Sequence, residues 1–150
     1  MSNLDLLIKS IDLLEEDTKP KWGKMSCPQM LKHCNRFIQV YTNEVKVKAP
    51  ISLLSPIFGR LHIFWLRHII RYNVNKYFRN LPTLRYFNTY RITNIDFTKE
   101  KEELANRIKF VIDYKKDYIK NTFHGKIKSK TFKDVVDFHT RYHLTQFGVI

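Results

Sequence analysis

The sequence predicts an all-α fold, a bundle of about four main helices. Over long stretches apolar residues recur at intervals of three and four, as in helices that each bury one face. Hydrophobic residues make up 43% of the 150-residue chain, which is enough to build one core without disulfides. Because no strand–turn–strand pattern is strong and no internal repeat is visible, a single domain over residues 1–150 is expected.

The first helix is predicted over residues 3–16, in "NLDLLIKSIDLLEE". Asn3 is in position to act as its N-cap, and Pro20 and Gly23 mark the loop that follows. The apolar stripe of this helix consists of Leu4, Leu7, Ile11 and Leu14.

The second helix is predicted to begin after Ser26. Its hydroxyl can cap the helix while Gln29, three residues later, reaches back in a capping box. His33 lies three residues after Met30 and four before Phe37, so it is predicted to face inward with the apolar stripe. That stripe consists of Met30, Cys34, Phe37, Tyr41 and Val45.

The third segment has apolar residues on all sides between Leu53 and Ile70. Pro56 and Gly59 indicate a break, so a helix is predicted from about Pro56 to Tyr77, partly buried and able to cover a partner surface.

A long loop is predicted between the third and fourth helices, in "NLPTLRYFNTYRITNIDF", which includes Pro82. Long loops inside compact domains are often functional or act as lids. The fourth helix is then predicted over residues 98–120 with Thr98 as its cap. Its stripe consists of Leu104, Ile108, Val111, Ile112, Tyr118 and Ile119.

The last helix is predicted to begin near Thr131, paired with Asp134 in a capping box, and to end at Gly148. It carries His139 and His143 on its apolar face. At 3.6 residues per turn these two side chains differ by about 40° around the axis and stand one turn apart.

A metal-binding role for this pair is the functional interpretation. His33 from another helix would complete a three-histidine site for Zn, Ni, Fe or Cu, with open positions for water or substrate. The alternative is that the histidines are ordinary helix residues, because a chain with six histidines often contains an i,i+4 pair by chance. The inward orientation of all three favours the metal site, since a buried imidazole needs a partner.

Several neighbours are weaker candidates. Gln146 and Gln29 lie one turn from His143 and His33, so either amide could orient a ligand, although a capping role is favoured for Gln29. Cys34 is predicted to be a buried apolar thiol. The other three histidines, His62, His68 and His124, lack a partner at ligand spacing and are predicted to be structural or surface residues. His124, beside Gly125, could line a cleft.

Other catalytic patterns are missing from the sequence. The pair is not HExxH, because Thr140, Arg141 and Tyr142 separate the histidines. No Ser-His-Asp order, CxxC pair or glycine-rich phosphate loop is seen, and the chain has only 4 glycines.

The net charge of +13 would suit an anionic partner. Lysines are scattered among many Asn and Ile residues, however, a bias that genome composition can produce, and no nucleic-acid-reading motif accompanies them, so no specific nucleic-acid partner is expected. Two cysteines and the lack of a signal pattern predict a cytoplasmic location. No membrane span is expected, because the most apolar window, "APISLLSPIFGRLHIFWLRHII", carries Arg60, His62, Arg67 and His68.

Four stretches resemble the DinB-like superfamily: "PKWGKMSCPQMLKHC", "NLPT", "DFTKEKEEL" and "FHTRYHLTQFGVI". The chain is most similar to a branch described only as a domain of unknown function, with a W-G-K-M-x-x-x-Q-M-L-x-H opening and an H-x-x-x-H-x-x-Q-F-G close. It departs from that branch in "NTFHG", where relatives often read H-P-x-F-G and this chain has Asn121 and Thr122. Substrate inference from relatives is weakened there.

The resemblance implies a four-helix bundle of the up-down-down-up type, in which His33, His139 and His143 bind a divalent transition metal such as Zn, Ni or Fe. Relatives include bacillithiol transferases and mycothiol-dependent isomerases, which implies a small-molecule thiol or an electrophile as the substrate. Homodimers are common in the family, so the resemblance allows one here.

The leading hypothesis is therefore a cytoplasmic metal-dependent enzyme, either a thiol S-transferase acting on a bacillithiol-, mycothiol- or glutathione-like thiol or a hydrolase. Two alternatives stay open. One is a non-enzymatic basic helical module that contacts an anionic partner through residues such as Arg67, Arg71, Lys76 and Arg79. The other is a stress protein with a purely structural metal.

Overall fold

The computed structural model describes residues 3–45, 51–81 and 83–150, and for Asn3 and residues 51–56 it describes the backbone. The described chain is mostly helical, as predicted, but it also contains a small sheet. In chain order the elements are α1 (Asn3–Asp12), α2 (Cys27–Tyr41), α3 (Ile51–Phe64), a π-helical turn (Trp65–Ile70), a 3₁₀ turn (Val74–Lys76), α4 (Phe97–Asp113), β1 (Tyr118–Asn121), β2 (Gly125–Lys128) and α5 (Ser129–Gln146).

Helix α1 buries Leu4, Leu7 and Ile11 of the predicted stripe, and Leu14, which follows the helix, is also buried. It ends at Asp12, four residues before the predicted end at Glu16. The N–H groups of Leu13 and Leu14 bond to carbonyls three residues back, which tightens the chain and closes the helix. The capping role predicted for the Asn3 side chain lies outside the described residues.

Helix α2 begins with the predicted capping box, which the structure confirms. The Ser26 hydroxyl accepts from the Gln29 N–H at 3.4 Å, and the Gln29 side-chain oxygen accepts from the Ser26 N–H at 2.9 Å. Its apolar face is fully covered at Met30 and Cys34. The helix ends at Tyr41, before the Val45 that the stripe included.

Helix α3 begins at Ile51 rather than near Pro56, and it runs through Gly59 without a break. A Cβ at Gly59 would lie 2.3 Å from the carbonyl oxygen of Phe123. This glycine therefore marks a close approach of two backbones, not a helix end.

The end of this helical segment also differs from the prediction of Tyr77. The π-helical turn stops at Ile70, where Arg71 adopts a left-handed conformation with φ 54°. In the connection that follows, the only regular element among the described residues before α4 is the 3₁₀ turn, so the long loop is confirmed. Pro82 lies outside the described residues.

Helix α4 is capped by Asp96, not by Thr98 as predicted. The Asp96 carboxylate accepts from the Lys99 N–H at 2.9 Å. The helix buries Leu104, Ile108 and Val111 and ends at Asp113, so the predicted extension to residue 120 is wrong.

A β-hairpin replaces the last turns predicted for the fourth helix. Ile119 pairs with Ile127 in an antiparallel ladder, and both face the core while their neighbours point outward. The Asn121 side chain accepts from the N–H groups of Phe123 and His124, at 2.9 and 2.7 Å, and so builds the turn. Four residues per strand are too few for the alternation to stand out in the sequence.

Helix α5 begins at Ser129, so the predicted start at Thr131 with an Asp134 capping box is wrong. The chain passes directly from β2 into the helix, and the Ser129 N–H bonds to the Asp117 carbonyl at 2.9 Å. The carboxylate of Asp134 instead pairs with Lys130.

The predicted end of α5 is confirmed. Gly148 is left-handed with φ 77°. Its N–H bonds to the Thr145 carbonyl and the Val149 N–H to the Leu144 carbonyl, both at 3.1 Å, which is a Schellman motif.

The helices share one core to which α1, α2, α4, α5 and the hairpin all contribute. Helices α2 and α5 also pack against each other directly. In the described part of the chain no helix combines the length and apolarity that crossing a membrane requires.

The cap of α4 provides a test of the fold. We expect Asp96→Ala to lower the free energy of unfolding by about 1 kcal/mol, because the Lys99 N–H loses its acceptor. Thr98→Ala, two residues away in the exposed first turn, should change it by less than about 0.5 kcal/mol. Urea unfolding of both variants measures the difference, and the reverse order would restore Thr98 as the cap.

Candidate metal centre

The three predicted histidines come together between α2 and α5. One nitrogen from each of His33, His139 and His143 lies within 4.8 Å of the other two. The Nε2 atoms of His33 and His139 are only 3.1 Å apart. Within the ranges that the structure describes, no carboxylate or thiolate belongs to this group.

Helical phase places each ring in the group. His33 lies on the inward face of α2 and is 7% exposed, and His143 on α5 is 6% exposed. His139 stands one turn before His143 and is only partly buried, with the two ring centroids 4.8 Å apart. Among the three residues of the cluster, His139 is therefore the least buried.

Hydrogen bonds on the far side fix the orientation of two rings. The Nδ1 of His33 lies 2.7 Å from the Phe87 carbonyl oxygen, which can only accept. Nδ1 of His33 must therefore carry the proton, and its Nε2 presents a bare lone pair to the cluster.

The same reasoning applies to His143 through Gln146. The Gln146 amide nitrogen donates to the Trp22 carbonyl at 2.6 Å, so its oxygen faces the Nδ1 of His143 at 2.8 Å and accepts from it. A Cβ at Gly23, which has φ 88°, would lie 2.6 Å from that amide nitrogen. The loop around Gly23 thus holds the Gln146 side chain in place. Because Gln146 accepts a hydrogen bond from the Nδ1–H of His143, the Nε2 of His143 is unprotonated.

His139 differs from the other two. Its Nδ1 is buried without a hydrogen-bond partner among the described residues. The Nε2 of His139 faces the unprotonated Nε2 of His33. Either the His139 Nε2 carries a proton and donates it to His33, or both nitrogens are unprotonated and direct their lone pairs at one cation.

The donor set fits a divalent transition metal. Imidazole nitrogens bind Zn²⁺ at about 2.0–2.1 Å, which separates two tetrahedral ligands by about 3.3 Å. The distance of 3.1 Å between the His33 and His139 nitrogens is close to that value. Outward Nδ1–H groups held by carbonyl or amide oxygens are also the usual support of metal-binding histidines.

The electrostatic surroundings keep the three rings neutral. Burial is the main cause that lowers the pKa of His33, and it lowers the pKa of His143 to about 3. The pKa of His139 lies well below its usual range, first through burial and then through His143 and His33. Neutral imidazoles are the form that binds a cation, because protonation would occupy the same lone pair.

Aromatic rings form the walls of the cluster. The Phe37 ring stacks on His139 with centroids 3.7 Å apart and planes only 3° from parallel. Phe87 and Tyr142 meet His33 and His143 edge on. Apolar rings packed against the histidines lower the local polarity, which strengthens electrostatic interactions between them.

Other sequence-predicted candidates lie elsewhere. Gln29 serves the capping box and donates to the carbonyls of Tyr90 and Ile92, whereas Gln146 contacts His143 directly. Cys34 is a buried free thiol, as predicted, and burial raises its pKa.

Sequence reasoning missed a second histidine contact, between His62 and His124. Their rings stack 5.9 Å apart, and His124 is fully buried with its Nδ1 2.5 Å from the Tyr41 hydroxyl. Burial lowers the pKa of His124 to about 3. The position of His124 beside Gly125 was the only sequence signal, since His62 reaches it across 62 residues of chain.

Comparison of the chain with protein-family models, with curated proteins and with solved structures finds no match.

Proposed function

We propose that the protein is a metal-dependent enzyme in which His33, His139 and His143 hold a divalent transition ion, Zn, Ni or Fe. The reaction proposed is S-transfer, in which a low-molecular-weight thiol is joined to an electrophile. The DinB-like resemblance of the sequence supports the choice of reaction class.

The observation that carries the proposal is the pair of Nε2 atoms 3.1 Å apart, with a third histidine nitrogen in the same group. Two of the three rings have their other nitrogen committed to an acceptor on the far side. His139 is the least buried of the three histidines.

The chemistry follows from what these residues can and cannot do. A bound divalent ion lowers the pKa of a coordinated thiol or water, so that the nucleophile forms near neutral pH. In S-transfer a carbon–sulfur bond forms, the leaving group departs with its electron pair, and the thiol proton passes to solvent. Within the described part of the chain the group consists of three neutral histidines and no carboxylate, so it supplies ligands rather than a general base.

Thiol consumption tests the proposal. The protein is stripped with chelator, reloaded separately with Zn²⁺, Ni²⁺ or Fe²⁺, and mixed with glutathione or bacillithiol and an aryl halide electrophile. We expect at least one reloaded form to produce the thioether about tenfold or more above the stripped protein. His143→Ala should stay at the stripped rate, and His68→Ala, which changes an exposed histidine, should match the wild type.

Two other outcomes favour the alternatives. A stripped protein that loses its far-UV circular dichroism signal would make the metal structural. A folded, metal-loaded protein that consumes neither thiol nor electrophile would contradict the transferase proposal.

A further inference from the structure

Helix α3 and the π-helical turn that follows it carry large apolar side chains that face solvent. Each of these five side chains is between 57% and 64% exposed. We name them the apolar face, and they are Ile57, Phe58, Leu61, Phe64 and Ile69. Exposed apolar patches of this kind mark interaction surfaces in soluble proteins.

The apolar face is a continuous ridge along the helix. At about 100° per residue, Ile57, Leu61 and Phe64 fall within about 60° of one another, and Phe58 lies beside them. The backbone at Gly59 packs against Phe123 of the hairpin turn, so another side of α3 contacts the rest of the protein.

The segment that carries the ridge contains basic residues but no acidic ones. All 14 Asp and Glu residues lie at or before residue 44 or at or after residue 96, so the stretch 45–95 contains none, while nine Lys and Arg residues fall within it. Arg60, Arg67 and Arg71 belong to this segment, and all three are exposed. Within the described ranges, none of the ion pairs involves these three arginines.

A second copy of the chain is a poor occupant for this surface. A symmetric pair would bring together two copies of a segment whose charged residues are all basic, and these like charges would repel one another. Nucleic acid would satisfy the arginines but leave the phenylalanine and leucine side chains in water.

We propose that the apolar face docks on an anionic lipid surface. The helix lies in the plane of the interface, with Phe58, Leu61 and Phe64 inserted at the level of the upper acyl chains and the flanking arginines against lipid phosphates. A helix with one apolar aromatic-rich face and basic flanks has this binding mode. Such docking needs no membrane-spanning helix, and Arg60 and Arg67 are long enough to reach the headgroups while their stems follow the apolar layer.

Vesicle co-sedimentation tests the proposal. Wild-type protein is mixed with vesicles of phosphatidylcholine, or of phosphatidylcholine with about one third phosphatidylserine. We expect binding to the anionic vesicles that weakens at high salt, and at least tenfold weaker binding to the neutral ones. The double variant Leu61→Ser/Phe64→Ser should lose at least tenfold of the anionic binding, because two inserted side chains are removed.

Two controls separate the apolar face from general effects. Leu13→Ser/Phe110→Ser changes two exposed apolar residues elsewhere, at 67% and 50% exposure, and should bind like the wild type. Arg67→Glu/Arg71→Glu should bind the anionic vesicles no better than the neutral ones. Since all six positions are exposed, circular dichroism should show each variant folded.

Three results would overturn the proposal. They are equal loss of binding in the Leu13/Phe110 control, the lack of wild-type binding to anionic vesicles, and light scattering that shows a dimer converted to a monomer by Leu61→Ser/Phe64→Ser. Salt-sensitive binding to RNA or DNA that survives the Leu61/Phe64 change, without vesicle binding, would assign the surface to nucleic acid. None of these readouts depends on the metal proposal.

Discussion

Replacing His143 by alanine is expected to remove most of the metal from the protein. Wild-type protein purified without chelator should contain about one divalent ion per chain, and His143→Ala less than a tenth of that. Among the described residues the donor group consists of three histidines, so losing one leaves two of these ligands. The loss should exceed the roughly 10–100-fold in affinity that removal of a supporting partner costs. Elemental analysis gives the content, and competition with a chelating dye gives the affinity.

A graded series makes this result specific. Gln146→Leu should weaken metal binding by about 10–100-fold, because the His143 Nδ1–H loses the acceptor that directs its Nε2 inward. His68→Ala should bind like the wild type, since His68 is exposed and outside the group. Metal-free wild-type protein, or equal metal in wild type and His143→Ala, would contradict the site.

The second large effect is expected at Glu100, in the first turn of α4. Glu100 is 6% exposed, and its carboxylate accepts from the Asn35 amide at 2.8 Å and from Lys32 at 2.5 Å. The Asn35 amide also donates to the Glu100 carbonyl at 2.9 Å, so one side chain of α2 holds both backbone and carboxylate of α4.

We expect Glu100→Ala to lower the free energy of unfolding by about 3 kcal/mol. Breaking a buried pair leaves its partners without compensation and typically costs about 3–5 kcal/mol, and the lower end applies because the Lys32 side chain is 30% exposed. Urea unfolding in the presence of chelator measures the effect independently of metal. Glu102→Ala, an exposed position on the same helix, should change stability by less than about 0.5 kcal/mol.

A double-mutant cycle assigns the loss to the right contact. If Asn35 and Glu100 act together, Glu100→Ala in an Asn35→Leu background should cost clearly less than it does alone. Equal costs in both backgrounds, or a Glu100→Ala effect no larger than that of Glu102→Ala, would show that the α2–α4 contact contributes little.

The local sequence pattern correctly predicted those features that depend on a single helix. The capping box at Ser26, the glycine end at Gly148 and the inward face of His33 each follow from residues within a turn or two of one another. The i,i+4 spacing of His139 and His143 likewise determines their relative position, because both belong to the same helix.

Local pattern failed where a distant segment decides the conformation. Gly59 indicates a break in isolation, but it lies inside α3 because the turn at Phe123 packs against it. In the sequence, Tyr118 and Ile119 continue the apolar spacing of the fourth helix. In the structure they belong to a strand that pairs with residues 125–128. Their strand conformation depends on pairing with Lys128 and Ile127, and the periodicity of a single helix carries no information about such partners.

The sequence by itself determined that the chain is mainly helical and which three histidines could share a site. Only the tertiary structure brings the Nε2 of His33 within 3.1 Å of the Nε2 of His139, 106 residues away. It also determines which nitrogen is protonated in His33, through the Phe87 carbonyl, and in His143, through Gln146 and the Trp22 carbonyl. The physical reason is the distance along the chain over which each property is decided. Side-chain phase on a helix follows from local backbone geometry, whereas distances between helices and the donors and acceptors around a ring depend on packing of the whole core.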